Sequence, residues 1–208
     1  MKQHADSYSA GQRALMAIVR PVMIRVSTPV LRMLTALGVA PNALSLAQIP
    51  LGLAMIVVIG YSRIAVLVLM ALCLALDMLD GLLARYTRQA SSYGALIDQM
   101  SDQIREVMTV AAVAQAGALS GTVAALYGVF YPLSNVGLFL VNQRGATVSP
   151  VFKSIVTFYP FLVIYLLGGP NWLEWSGWLT VAAMGLTVGQ CARALAFDSS
   201  APVPNPSD

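Results

Sequence analysis

Residues 64–102 read IAVLVLMALCLALDMLDGLLARYTRQASSYGALIDQMSD. The first 13, Ile64 to Leu76, are all apolar, and the next 26 hold Asp77, Asp80, Asp98 and Asp102, four of the nine acidic residues in the chain. An uninterrupted helix entered at Ile64 has risen about 20 Å when it reaches Asp77. Carboxylates at that depth lie inside hydrocarbon if the run crosses a bilayer. An Asp at a helix centre costs about 2.5 to 3.5 kcal/mol on insertion scales, so four cost up to roughly 10 kcal/mol without compensation.

The whole chain makes a bilayer the right solvent. Of 208 residues, 58% are hydrophobic and 10% charged, with a mean hydropathy of +0.73, whereas a soluble domain carries about 25% charged residues. A soluble globular domain, a disordered chain and a nucleic-acid binder are excluded on that balance. The net charge of +3, from 12 Lys and Arg against 9 Asp and Glu, is too small for binding a phosphate backbone. Cys73 and Cys191 sit in apolar runs without metal-ligand spacing and read as buried small hydrophobes.

Working outward from the quoted stretch, hydropathy and turn residues predict an all-α polytopic membrane protein. Its six transmembrane helices are preceded by an amphipathic juxtamembrane segment. The spans fall near Pro41 to Gly60, Ile64 to Ala84, Ala95 to Leu119, Thr122 to Val141, Val151 to Leu167 and Trp172 to Ala194. Pro41 suits a first helical turn, and Pro50 and Pro132 predict kinks. Residues 1–12 form a flexible polar tail holding the only histidine, His4, with no signal-peptide pattern. Residues 13–37 carry Arg20, Arg25, Arg32, Pro21 and Pro29 among apolar positions and read as an interfacial piece. The six-helix domain covers 38–197, and 198–208 form a second flexible tail.

Basic residues fall on one side of this plan: Arg13, Arg20, Arg25 and Arg32 before span one, Arg85 and Arg88 after span two, Arg144 and Lys153 between spans four and five, and Arg193 at the end of span six. The other side has Arg63 and the acid Glu174. The positive-inside rule puts both termini in the cytoplasm, for a multi-pass protein of a bacterial inner or plasma membrane. Trp172, Trp175 and Trp178 open span six on the outer side as an interfacial belt. No internal repeat is visible, which weakens an inverted-repeat transporter.

Asp77 and Asp80 are i,i+3 and Asp98 and Asp102 are i,i+4, so each pair shares a face of its own helix. The short connection from Arg85 to Tyr93 makes those helices antiparallel neighbours, letting four carboxylates approach one centre. Such a group repels itself unless divalent cations bind or some members are protonated. Oxygen ligands favour Mg²⁺, Mn²⁺ or Ca²⁺, and two ions balance four charges. Arg105 can pair with one carboxylate. Intramembrane carboxylates also mark proton or cation paths, so a coupled transporter is the rival reading. Gly81, Ala84, Arg85 and Gly94 tip the balance: small residues open a helix face to a flat group, Arg85 offers a phosphate partner, and Gly94 leaves space and backbone N–H groups near an anion.

These residues stand as Asp77-x2-Asp80-Gly81-x2-Ala84-Arg85-x8-Gly94-x3-Asp98-x3-Asp102, which resembles the signature of the CDP-alcohol phosphotransferase family (CDP-alcohol phosphatidyltransferases) at all eight specified positions. The resemblance implies transfer of a substituted phosphate from a CDP-linked donor, commonly CDP-diacylglycerol, to an acceptor hydroxyl with release of CMP. It implies a metal-dependent enzyme of phospholipid synthesis with Mg²⁺ or Mn²⁺, two ions, held by Asp77, Asp80 and Asp98. Asp102 is then the general base and a further metal contact. Asp77, Asp80, Gly81, Ala84, Arg85 and Gly94 would form the nucleotide site. The implied partners are a CDP-linked lipid, a small alcohol, membrane lipids and a second copy of the chain. Pro41-Asn42-Ala43-Leu44-Ser45 is similar to a further family motif with Ser in place of Thr, and Asn42 is either a nucleotide contact or a helix cap.

Arg144, Lys153 and Arg193 come from different helix ends on the basic side. They form either a pocket for an acceptor with its own phosphate, such as glycerol 3-phosphate or an inositol phosphate, or simply the positive residues of their loops. Family members that use inositol phosphate resemble one another in further basic residues here, where this chain is sparser. Arg105 and Glu106 read as a structural ion pair with neighbours that position Asp102, or as acceptor contacts. Tyr127, Phe130, Tyr131, Phe158, Tyr159 and Phe161 read as packing or lipid-facing residues.

Overall fold

The structure, a computed structural model, describes residues 26–146, 148–149, 151 and 154–197. Both expected tails, Arg13, Arg20, Arg25 and Lys153 lie outside these residues. A helix, α1, covers 26–36. It is followed by α2 (Pro41–Val58), α3 (Arg63–Tyr86), α4 (Ser92–Gln115), α5 (Gly121–Gln143), the short α6 (Ser154–Thr157) and α7 (Tyr159–Leu166), and α8 (Leu173–Phe197). No strand occurs among the described residues.

Serines start three of the long helices. Ser62, Ser91 and Ser120 are extended N-caps whose hydroxyls accept from the N–H groups of Ala65, Gly94 and Val123, meeting a donor that would otherwise be unpaired. Pro41 stands in the first turn of α2. Both α2 and α5 run through their interior prolines, Pro50 and Pro132. Gly38 closes α1 in the left-handed region at φ 68°. At the end of α3 Arg88 takes that conformation at φ 59°, an uncommon one for a side chain with a Cβ.

Four helices, α2, α3, α5 and α8, are long and apolar enough to cross a membrane. The remaining two expected spans differ for physical reasons. α4 is as long as α3, at 24 residues, but Asp98, Asp102, Arg105 and Glu106 lower its apolarity. The segment expected from Val151 to Leu167 is interrupted at Phe158, two residues before Pro160, whose ring and missing N–H oppose a helix continuing from α6.

The long helices pack mainly in two groups. α2 packs against both α3 and α4, which hardly touch each other, and α5 packs against α8. Asn42 meets Gly94 and Gly52 meets Met108, so α2 and α4 run parallel; a Cβ on Gly52 would lie 2.8 Å from the Met108 Sδ. Gly177 meets Val123 and Gly137 meets Cys191 in the same way, so α5 and α8 are also parallel. α3 and α4 come close enough for Asp77 to meet Asp98 and Asp102, as expected, but α2 carries most of the contact with each of them. α4 to α5 and α3 to α7 contacts join the groups. Within the α5–α8 group, Glu174 on α8 accepts from the N–H and hydroxyl of Ser120, the N-cap of α5, at 2.7 and 2.8 Å.

Around a buried apolar core that includes Met55, Val66, Val110, Val123 and Leu162, the outer surface is apolar as well. Leu53 and Val57 on α2, Ile64, Val68 and Leu72 on α3, and Val129, Leu133, Val136 and Leu140 on α5 are exposed at helical spacing, a surface for acyl chains. Ser45, Gln48, Asp80, Ser101, Arg105, Glu106 and Thr109 are buried. The chain is an integral membrane protein of all-α class. Cys73 and Cys191 are free and buried, as expected.

Candidate active site

The site lies where the start of α2, the end of α3 and the start of α4 meet. Asp77, Asp98 and Asp102, all half-buried, each bring one carboxylate oxygen into a group whose members lie within 4.8 Å of one another. Asp80 stands outside that group, and its Oδ2 accepts from the Ser45 hydroxyl at 2.5 Å. Beside the carboxylates is a pocket lined by Pro41, Asn42 and Ser45 from α2, Asp80, Gly81, Ala84 and Arg85 from α3, Gln89, Ala90 and Ser91 from the connection, and Gly94, Ala95 and Asp98 from α4. Asp80 and Asp98 therefore face the pocket, and Asp98 also belongs to the carboxylate group.

Small residues shape this pocket by what they leave out. A Cβ on Gly94 would lie 3.2 Å from Asn42 Oδ1 and 3.3 Å from Ser91 Oγ. A Cβ on Gly81 would meet the Arg85 guanidinium at 3.5 Å, so that side chain folds back along α3 over the glycine. Gly94 does not offer the free N–H expected of it, because that group donates to Ser91 Oγ at 3.0 Å. Its contribution is space.

The donor set suits a hard divalent cation. It is all oxygen, it comes from two helices, and Asp98 Oδ1 and Asp102 Oδ1 are buried without a hydrogen-bond partner, as cation ligands awaiting charge would be. Arg105 Nη2 lies 3.2 Å from Asp102 Oδ1, at ion-pair distance though not aligned as a hydrogen bond. Arg105 and Glu106 do not pair with each other. Glu106 instead accepts from the Tyr127 hydroxyl at 2.5 Å and from the Tyr159 hydroxyl.

Of the residues singled out from sequence, Asp80, Gly81, Ala84, Arg85 and Gly94 line the pocket and Asp77 stands with Asp98 and Asp102 behind it. Of the basic trio, Arg144 reaches the end of α8 that carries Arg193. Arg144 donates to the Leu195 carbonyl at 3.0 Å, Arg193 is exposed near the end of α8, and Lys153 lies outside. Asn42 is no helix cap, since α2 is capped at Ala40 without a side-chain bond; it lines the pocket. Ser45, Gln89 and Ser91 were missed, although the Pro41-to-Ser45 motif already held Ser45. Tyr127 packs on Tyr131 and Phe158, with centroids at 5.8 and 5.2 Å, as packing predicts, but the bonds of Tyr127 and Tyr159 to Glu106 were not foreseen.

Residues 38–189 match the CDP-alcohol phosphatidyltransferase family. The match spans α2 to most of α8 and includes every aspartate of the site. The chain belongs to that family. No individual curated protein gives a significant match. As a CDP-alcohol phosphatidyltransferase the chain is a transferase of phosphate-containing groups acting in phospholipid synthesis, with a CDP-alcohol donor and an alcohol acceptor. Its pocket sits against an aspartate group able to hold an ion.

Proposed function

We propose that this phosphatidyltransferase moves a phosphatidyl group from CDP-diacylglycerol to the hydroxyl of a small alcohol that carries its own phosphate, releasing CMP on the cytoplasmic side. The observation that supports it most is the adjacency of the Asp77, Asp98 and Asp102 oxygens to a pocket lined by Asn42, Gly81, Arg85 and Gly94. Nucleotide and diphosphate fit the pocket, and the reacting phosphorus then falls beside the carboxylates.

In this reading Asp77, Asp80, Asp98 and Asp102 hold two Mg²⁺ or Mn²⁺ ions. Charge supports bound cations: Arg105 pairs with Asp102, and Asp77, Asp80 and Asp98 have no ion-pair partner among the described residues. Such ions supply neutralisation of the diphosphate and of the departing CMP, and in-line clamping. Arg85, lying over Gly81 at the pocket wall, pairs with a diphosphate oxygen. Gly94 and Ala84 let the flat base approach the helix surfaces. Asp102 accepts the hydroxyl proton as the acceptor oxygen forms its bond to the lipid phosphorus and the bond to the CMP oxygen breaks. Arg105 holds one Asp102 oxygen and leaves the other for the acceptor.

Arg144 and Arg193 stand at the ends of the packed helices α5 and α8. With Lys153 they would attract an acceptor phosphate, favouring glycerol 3-phosphate or an inositol phosphate over a neutral alcohol. The exposed faces of α2 and α3 let the lipid donor enter from the bilayer. The test is transfer of label from glycerol 3-phosphate or inositol phosphate into lipid by the purified protein in CDP-diacylglycerol vesicles. Labelled lipid from one phosphorylated acceptor supports the assignment, and labelling from inositol or serine alone contradicts it.

A further inference from the structure

Arg105 and Glu106 are sequence neighbours of opposite charge, 5% and 2% exposed, and the fold sends them apart. Successive side chains on a helix diverge by about 100°. Glu106 points to α5 and α7, where Tyr127 donates to its Oε1 and Tyr159 to its Oε2. Arg105 points to Asp102, reaching its Oδ1 with Nη2, while its Nε and Nη1 have no hydrogen-bond partner. Tyr127 is fully buried. None of these groups lines the nucleotide pocket.

A guanidinium in a dry interior goes to the carboxylate that is least satisfied. Two hydroxyl donors take up both oxygens of Glu106 and make it a poor competitor for Arg105. Without them Glu106 is a bare carboxylate one residue away from a guanidinium that has free N–H groups. We propose that Tyr127 and Tyr159 are positioning residues: by occupying both Glu106 oxygens they keep the Arg105 guanidinium on Asp102 and so hold the carboxylate that receives the acceptor's proton. The inference rests on the transferase reading for Asp102. The arrangement also ties α5 and α7, on the acceptor side, to the carboxylate group on α4.

The experiment uses the full chain in lipid nanodiscs, with CMP release measured against CDP-diacylglycerol concentration at saturating glycerol 3-phosphate or inositol phosphate. Tyr127→Phe/Tyr159→Phe is expected to lower kcat roughly 10- to 100-fold through misplacement of the base, with KM for the lipid within about twofold. Adding Glu106→Gln removes the competing charge and is expected to restore most of kcat. A purely structural role gives the reverse order, since a third change in a weakened bundle lowers kcat further. The structure of the double variant gives a readout without activity: Arg105 should move from Asp102 to Glu106. If the wild-type protein released no CMP, the transferase reading would fail, and this geometry would still decide whether the tyrosines control Arg105. If the double variant does not fold, each single Tyr→Phe change with and without Glu106→Gln gives the same comparison. Unchanged kcat, no recovery with Glu106→Gln, or Arg105 still on Asp102 in the variant structure overturns the proposal.

Discussion

In the proposed mechanism the aspartates divide the work. Asp102 has Arg105 at 3.2 Å and shares an oxygen group with Asp77 and Asp98; as the proposed base, its change Asp102→Asn should keep CDP-lipid binding and lose about 10²- to 10⁴-fold in transfer, the usual worth of a general base. Asp77→Asn should instead weaken metal-dependent nucleotide binding first, as equilibrium binding of CDP at varied Mg²⁺ would read. Near-normal turnover by Asp102→Asn would remove the base from the account. The glycines give a graded pair: Gly94→Ala brings a methyl to 3.2 Å from Asn42 Oδ1, tighter than ordinary contact, whereas at Gly81 the new methyl meets Arg85 at a tolerable 3.5 Å. CDP affinity should therefore fall more for Gly94→Ala than for Gly81→Ala. These residues were legible because i,i+3 and i,i+4 spacing fixes a helix face wherever the helix goes. Ser45 was not singled out, since its partner Asp80 lies 35 residues away on another helix. Tyr127 and Tyr159 stayed hidden because an aromatic in an apolar helix reads first as packing.

At the scale of elements, hydropathy located the long helices closely: Pro41–Val58 and Arg63–Tyr86 stand where spans from Pro41 to Gly60 and from Ile64 to Ala84 were expected. What hydropathy does not carry is which helix packs on which. Adjacency in sequence pointed to α3 against α4, but Gly52 allows α2 to approach α4 closely, and α2 takes the place between them. The broken segment at Phe158 was similarly obscure, because its residues are apolar on either side of the break. Close approach through small residues is a general device where lipid removes the hydrophobic drive between helices. It makes α5 and α8 sensitive at one position. A Cβ on Gly177 would lie 2.6 Å from Val123 Cγ1 and 3.0 Å from Leu119 Cδ1. Gly177→Ala should destabilise the protein by about 1 to 3 kcal/mol, the usual cost of overpacking, visible as a lower Tm in detergent.

For the molecule as a whole, the helix groups present apolar faces outward, bury an apolar core together with a smaller set of polar residues, and open a pocket beside three carboxylates where α2, α3 and α4 meet. The composition alone required a membrane protein, and the spacing from Asp77 to Asp102 pointed to one family. The acceptor was less legible because Arg144, Lys153 and Arg193 come from separate helix ends whose meeting depends on packing. A cation- or proton-coupled transporter would also use intramembrane aspartates, but it gives Gly81, Arg85, Gly94 and the pocket they line no task. The two readings part on a single measurement: CMP released by the purified protein given CDP-diacylglycerol and Mg²⁺, with glycerol 3-phosphate, inositol phosphate, inositol, serine or no acceptor. The account predicts CMP release that depends on a phosphorylated acceptor and is abolished by EDTA. No CMP with any acceptor, together with cation or proton flux in liposomes, would contradict it.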